Sequence, residues 1–186
     1  MSQFTNLYFI AIIPPDSICD EITAFKNDIA TYYNSSKALR SVPHITLKAP
    51  FTINANLHNQ AVDWFTTIHI NQPQFEQQLN GFGVFDNPKH PVLYVKPVLS
   101  NALLALQQTI ITEFERAFNF IPIHYLERNF NPHITIGYRD LAYAEFEKAW
   151  QVYQYKKYDA AFSVKNICLL KHDGAKWNVI SKSNLE

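Results

Sequence analysis

The sequence predicts one α+β domain made of two similar lobes, spanning roughly residues 1–90 and 91–186. Three observations predict it. Apolar segments alternate between strand and helix periodicity in the same order in each half. The tetrapeptide Pro-His-Ile-Thr occurs twice, at matching points of that order. No Gly/Ser tract, charge block or low-complexity linker divides the chain, and only four glycines are present, so independently folding halves are not expected.

In the first half, Leu7 to Ile13 is a continuous apolar run of strand length. Pro14, Pro15 and Asp16 then supply a helix start, and Ile18, Ile22, Phe25, Ile29 and Tyr32 form one apolar stripe to about Tyr33. The segment His44 to Ile53 reads as a second strand. A shorter helical pattern follows through Leu57, Ala61, Trp64, Phe65 and Ile68, and Phe75 to Phe85 is extended.

The second half repeats the order. Val92 to Val98 is a strand, and Ser100 or Asn101 can cap a helix with Leu103, Leu106, Ile110 and Phe114 inward. His133 to Arg139 is again a strand, and Asp140 can cap a helix carrying Phe146, Trp150 and Tyr153. Ala160 to Leu170, an Asp173-Gly174 turn and Lys176 to Ser181 read as a closing hairpin. Tyr8 stands 36 residues before His44 and Tyr94 stands 39 before His133, so the repeat keeps nearly constant spacing.

Composition excludes several classes. With 16 basic and 16 acidic residues the formal net charge is zero, which leaves no large positive field to hold a long duplex. A small substrate or the end of an RNA fits better. Cys19 and Cys168 lack metal-ligand spacing, and no HExxH, HxH or carboxylate cluster is present, so neither a structural zinc site nor a two-metal nuclease centre is expected. The first apolar run is about a third of a membrane span and ends in Pro14-Pro15 rather than a small-residue cleavage site. These features predict a cytoplasmic monomer with no membrane contact and no obligate protein partner.

The chemistry is expected in Pro43-His44-Ile45-Thr46-Leu47 and Pro132-His133-Ile134-Thr135-Ile136. A lone His-x-Thr carries little weight, whereas an identical pair at matching points of a repeat is hard to reach by chance. On regular strands His44, Thr46 and Lys48 would share one face, as would His133, Thr135, Gly137 and Arg139. A phosphodiester between two such faces would meet an imidazole and a hydroxyl from each side, with Lys48 and Arg139 offsetting its charge. Histidine suits acid–base work at neutral pH, one ring taking a proton from the nucleophile and the other giving one to the departing oxygen. Which ring takes which role is left open by spacing alone. Gly137 would leave room for close approach.

These paired motifs resemble those of the 2H phosphoesterase superfamily, in particular its 2′-5′ RNA ligase-like and RNA cyclic phosphodiesterase branch. The stretch Gly81-Phe82-Gly83-Val84-Phe85 through Asn87-Pro88 to Val92-Leu93-Tyr94-Val95 is similar to the segment that members carry between motifs. The resemblance implies a bilobal fold with an antiparallel sheet in each lobe, helices outside, and no metal or other cofactor. It also implies that His44 and His133 are the catalytic pair, with Thr46 and Thr135 binding phosphate. The expected activity is opening of RNA-type 2′,3′-cyclic phosphates or cleavage of 2′-5′ phosphodiesters. Two alternatives are a non-catalytic module for nucleotide phosphates or RNA ends, and a hydrolase of a small cyclic-phosphate metabolite.

Among lesser candidates, Tyr8, Phe82, Phe85 and Tyr94 could include a base-stacking ring, with core packing the favoured role. His124, Tyr125 and Arg128, in the segment before the second motif, read as solvated loop residues able to reach over a bound substrate.

Overall fold

A computed structural model describes residues 4–186, apart from the side chain of Leu126. Its strands form two four-stranded antiparallel sheets. The first has the order β2-β1-β7-β8, with β1 Thr5–Ile12, β2 Ile45–Asn54, β7 Asn166–His172 and β8 Trp177–Asn184. The second has the order β5-β4-β3-β6, with β3 Phe75–Phe85, β4 Val92–Pro97, β5 Ile134–Gly137 and β6 Asp159–Val164. The fold is thus bilobal α+β with a sheet in each lobe.

The halves of the chain are not the lobes. β3 precedes residue 90 but belongs to the second sheet, whereas β7 and β8 return to the first. The expected boundary near residue 90 is therefore replaced by an interleaved arrangement: both ends of the chain build one sheet and its middle builds the other. The expected single strand from Ala160 to Leu170 is correspondingly two, β6 and β7, divided at Lys165 so that the chain can cross between sheets. β6 alternates buried with exposed residues, as an edge strand does, while Ile167 to Leu170 is buried throughout, as a central strand is.

Helices cross over as well. α1, Asp16–Tyr33, follows β1 of the first sheet yet packs on β5 of the second, and α3, Asn101–Ala117, follows β4 yet packs on β2. α2, His58–Thr67, lies on β8, and α5, Tyr143–Tyr153, lies on β4 and α1. One continuous apolar cluster therefore joins both sheets, including Ile10 and Leu169 from the first and Leu93 and Phe162 from the second. Ser100 caps α3 as expected, its Oγ accepting from the Leu103 N–H at 3.1 Å. Asp140 does not cap α5. Its carboxylate instead accepts from the Ser35 hydroxyl at 2.8 Å and from the Ser36 and Lys37 N–H groups at 3.0 Å each. No helix among the described residues is long and apolar enough to cross a membrane.

Candidate active site

Each Pro-His-Ile-Thr segment enters the edge strand of its sheet, β2 in one and β5 in the other. The two histidines are held alike. His44 Nδ1 lies 2.6 Å from the Val42 carbonyl and His133 Nδ1 lies 2.9 Å from the Asn131 carbonyl, in both cases the residue two positions back. A carbonyl oxygen only accepts, so Nδ1 carries the proton in each neutral ring and Nε2 presents a lone pair. Aromatic walls flank both rings: Phe9 sits 4.8 Å from His44, and Phe85 and Tyr94 sit 4.9 and 5.7 Å from His133.

Burial therefore lowers both pKa values. That of His44 falls to about 4, mainly by desolvation, with the positive charges of Lys26 and of protonated His133 acting in the same direction. That of His133 is also lowered by burial, opposed by its bond to Asn131.

A matched irregularity shapes both strands. Along β1 and β2 the register passes from Ala11–Thr46 to Ile10–Lys48, and along β4 and β5 from Tyr94–Thr135 to Leu93–Gly137. One extra residue, Leu47 in the first strand and Ile136 in the second, is thus inserted directly after each threonine. Such a bulge turns the following residue to the other face of the sheet.

This corrects two expectations. Lys48 does not share the face of His44 and Thr46. It pairs with Ile10 on the core side, is 2% exposed, and forms a buried ion pair with Glu127 at 2.9 Å. Its charge is compensated there rather than offered to a phosphate. Gly137 likewise serves packing, since a Cβ there would lie 3.1 Å from Ile29 of α1 and 3.2 Å from Leu141.

Arg139 is displaced for a related reason. β5 ends at Gly137, and Arg139 takes φ 58° in a turn closed by the Asp140 N–H to the Tyr138 carbonyl at 2.7 Å. Arg139 is exposed, with its guanidinium against the Tyr138 ring, and it lies beyond the strand that carries Thr135. The hydroxyls of Thr46 and Thr135, by contrast, are partly exposed and have no hydrogen-bond partner among the described residues.

Glu127 is a residue that the sequence does not single out. It lies in the short helix α4, Tyr125–Arg128, and its carboxylate accepts from Lys48, from the Ala49 N–H at 2.7 Å and from the His124 N–H at 2.8 Å. The segment is thereby fastened along the open edge of β2. A cavity of about 1030 Å³ results, whose lining includes Thr46, Phe120, Ile123, Tyr125 and His133. His124 and Tyr125 therefore lie beside the motifs, while Arg128 pairs with Glu115 at 3.6 Å on the surface. A lone Glu in a segment of mixed polarity gives no sequence signal of this kind.

Of the candidate stacking rings, Tyr8 is fully buried and its hydroxyl shares a hydrogen bond with His58 Nδ1 at 2.8 Å, whereas Tyr94 lies against the His133 ring. A Cβ at Gly83 would meet the Tyr94 ring at 2.6 Å, so glycine is what lets that ring lie across β3. No group of three or more His, Cys, Asp or Glu among the described residues is placed to hold a metal ion.

Each of these two edge strands thus opens on a His-x-Thr segment, and Thr46 of one and His133 of the other line the same cavity, whose lining does not include His44 or Thr135. The family model of the 2′-5′ RNA ligase superfamily matches residues 14–176, and the chain belongs to that family. A Staphylococcus haemolyticus protein carrying a provisional phosphoesterase name is 26% identical over 182 residues, covering 95% of this chain and 97% of that one. Escherichia coli LigT in complex with 3′-AMP superposes with a TM-score of 0.70 at 18% identity, covering 98% of this chain and 99% of LigT. A Thermus thermophilus protein gives 0.65 at 18% identity over 96% and 97% of the respective chains. At such identities the solved structures establish a shared fold.

Proposed function

We propose that the protein is a metal-independent phosphoesterase acting on RNA-type 2′,3′-cyclic phosphates or 2′-5′ phosphodiesters, with His44 and His133 as its acid–base pair. The observation that carries the reading is the matched Nδ1 hydrogen bond, which leaves an Nε2 on each ring for proton transfer. LigT, solved with 3′-AMP, ATP and NADP+, supports a small nucleotide as ligand.

His44, neutral at physiological pH, accepts a proton from water as the water oxygen bonds to phosphorus. The bond from phosphorus to one ribose oxygen breaks, and His133 Nε2–H protonates that oxygen, leaving a phosphomonoester. The pKa of His133 is depressed in the free protein, so the ring acquires its proton with the substrate, whose anionic phosphate favours the imidazolium. The Thr46 and Thr135 hydroxyls, without partners among the described residues, donate to nonbridging oxygens whose charge must be held in the transition state. Lys48 has no part in this, being committed to Glu127.

The test is turnover of 2′,3′-cyclic AMP and of a cyclic-phosphate RNA end in excess EDTA. Activity is expected to persist with chelator and to fall by roughly 100- to 10,000-fold in His44→Ala or His133→Ala. Loss of activity on chelation, or full activity in either variant, contradicts the reading.

A further inference from the structure

Beside the segment that leads into the His44 strand, α1 carries a lysine that the mechanism does not use. Lys26 is 1% exposed, and its Nζ donates to the Ser41 carbonyl at 2.8 Å. Ser41 begins the segment Ser41-Val42-Pro43-His44, whose Val42 carbonyl holds the His44 ring. An ammonium group is costly to bury, and no carboxylate among the described residues is bonded to it. We propose that Lys26 is a positioning residue for His44, acting through the Ser41 carbonyl and through its buried charge rather than by touching substrate.

Two effects combine. Fixing Ser41 fixes the approach of Val42, and with it the acceptor that sets the His44 tautomer and ring orientation. The positive charge then adds to burial in disfavouring a second proton on the ring, which extends to lower pH the range over which Nε2 is a proton acceptor. Burial lowers Lys26 itself only to about 8, so it remains charged where the enzyme is expected to work.

Other groups around the pair do not supply this effect. The charged groups facing His44 are Lys26 from α1 and His133 from the second sheet, and Phe9 of β1 is its aromatic neighbour. Around Lys26 lie Cys19, whose thiol is raised to about 11 and is therefore neutral, and the cavity residues Asp16, Asp20, Arg40 and Lys176. None of these makes a hydrogen bond or ion pair with the ammonium.

The proposal rests on reading His44 as the proton acceptor, so its test must not depend on turnover alone. The titration of the His44 ring is followed by NMR in the wild type, in Lys26→Met, which removes charge and hydrogen bond, and in Lys26→Gln, which retains a donor for Ser41. In both variants His44 should titrate higher by about one pH unit, and the acid limb of kcat/KM should move with it. Only Lys26→Gln should keep the wild-type ring orientation. The wild type offers a check that needs no variant: the His44 ring nitrogens should record a small step near pH 8 as Lys26 loses its proton. An unchanged His44 titration in the folded variants, or no such step in the wild type, overturns the proposal. If His44 shifts as stated but His44→Ala retains full turnover, the acid–base reading fails while the coupling to Lys26 stands.

Discussion

His44 and His133 make the same hydrogen bond from the same place in their motifs, each donating Nδ1–H to the carbonyl two residues back. A single ring so held could be a local accident of a strand entrance. Two, on the edge strands of different sheets and each followed by the same bulge, amount to one device used twice. The direct expectation is spectroscopic. Long-range proton–nitrogen correlation at pH 7 should show both rings neutral with the proton on Nδ1, and an Nε2–H tautomer at either ring would contradict the geometry.

Burial of His44 also makes stability depend on pH. Its folded pKa, about 4, lies below the ordinary value of 6.5. Between those values the unfolded chain binds a proton that the folded chain does not, so stability is present above about 6.5 and is lost as pH falls towards 4. Urea midpoints of the wild type should drop across this window by more than those of His44→Gln. Equal drops would show that His44 is not the group concerned.

Thr46 and Thr135 should matter through their hydroxyls, because neither has a partner among the described residues. Thr46→Val and Thr135→Val keep the branched shape suited to a strand and remove only the donor. Each is expected to lower kcat/KM by about 10- to 100-fold, with Thr→Ser retaining most activity. Wild-type kinetics in either valine variant would exclude that hydroxyl from phosphate binding.

Lys48 should prove structural. Its ammonium and the Glu127 carboxylate are 2% and 5% exposed, and removing one member leaves the other charged and buried. Glu127→Ala is expected to lose about 3 to 5 kcal/mol, with part of it regained in Lys48→Met/Glu127→Leu. The checks are chemical denaturation of both variants and KM for the nucleotide substrate, which should rise as the cavity wall at Tyr125 loosens.

Much of this is legible in the residues. The strands and the long helices stand close to their periodic patterns, and the two Pro-His-Ile-Thr segments mark an edge strand in each sheet. What is not legible has specific causes. A bulge leaves no mark in an alternating pattern, so simple alternation puts Lys48 and Gly137 on the wrong face. Arg139 falls outside a strand that ends two residues earlier, because a left-handed turn at a non-glycine residue has no compositional sign. The crossover at Lys165 is marked in the sequence only by Lys165-Asn166 between the alternating Ala160 to Val164 and the continuous apolar run Ile167 to Leu170, a short polar break that a single strand also tolerates. Glu127 and Lys26 act through long-range contacts that local sequence cannot encode.

The convergence of the two rings is tested most directly by titrating the protein with 3′-AMP while following both imidazoles by NMR. A 1:1 complex in which His44 and His133 shift together, with one dissociation constant and with raised pKa values for both, is the predicted result. Movement of one ring alone, or two independent binding events, would mean that no single phosphate reaches both.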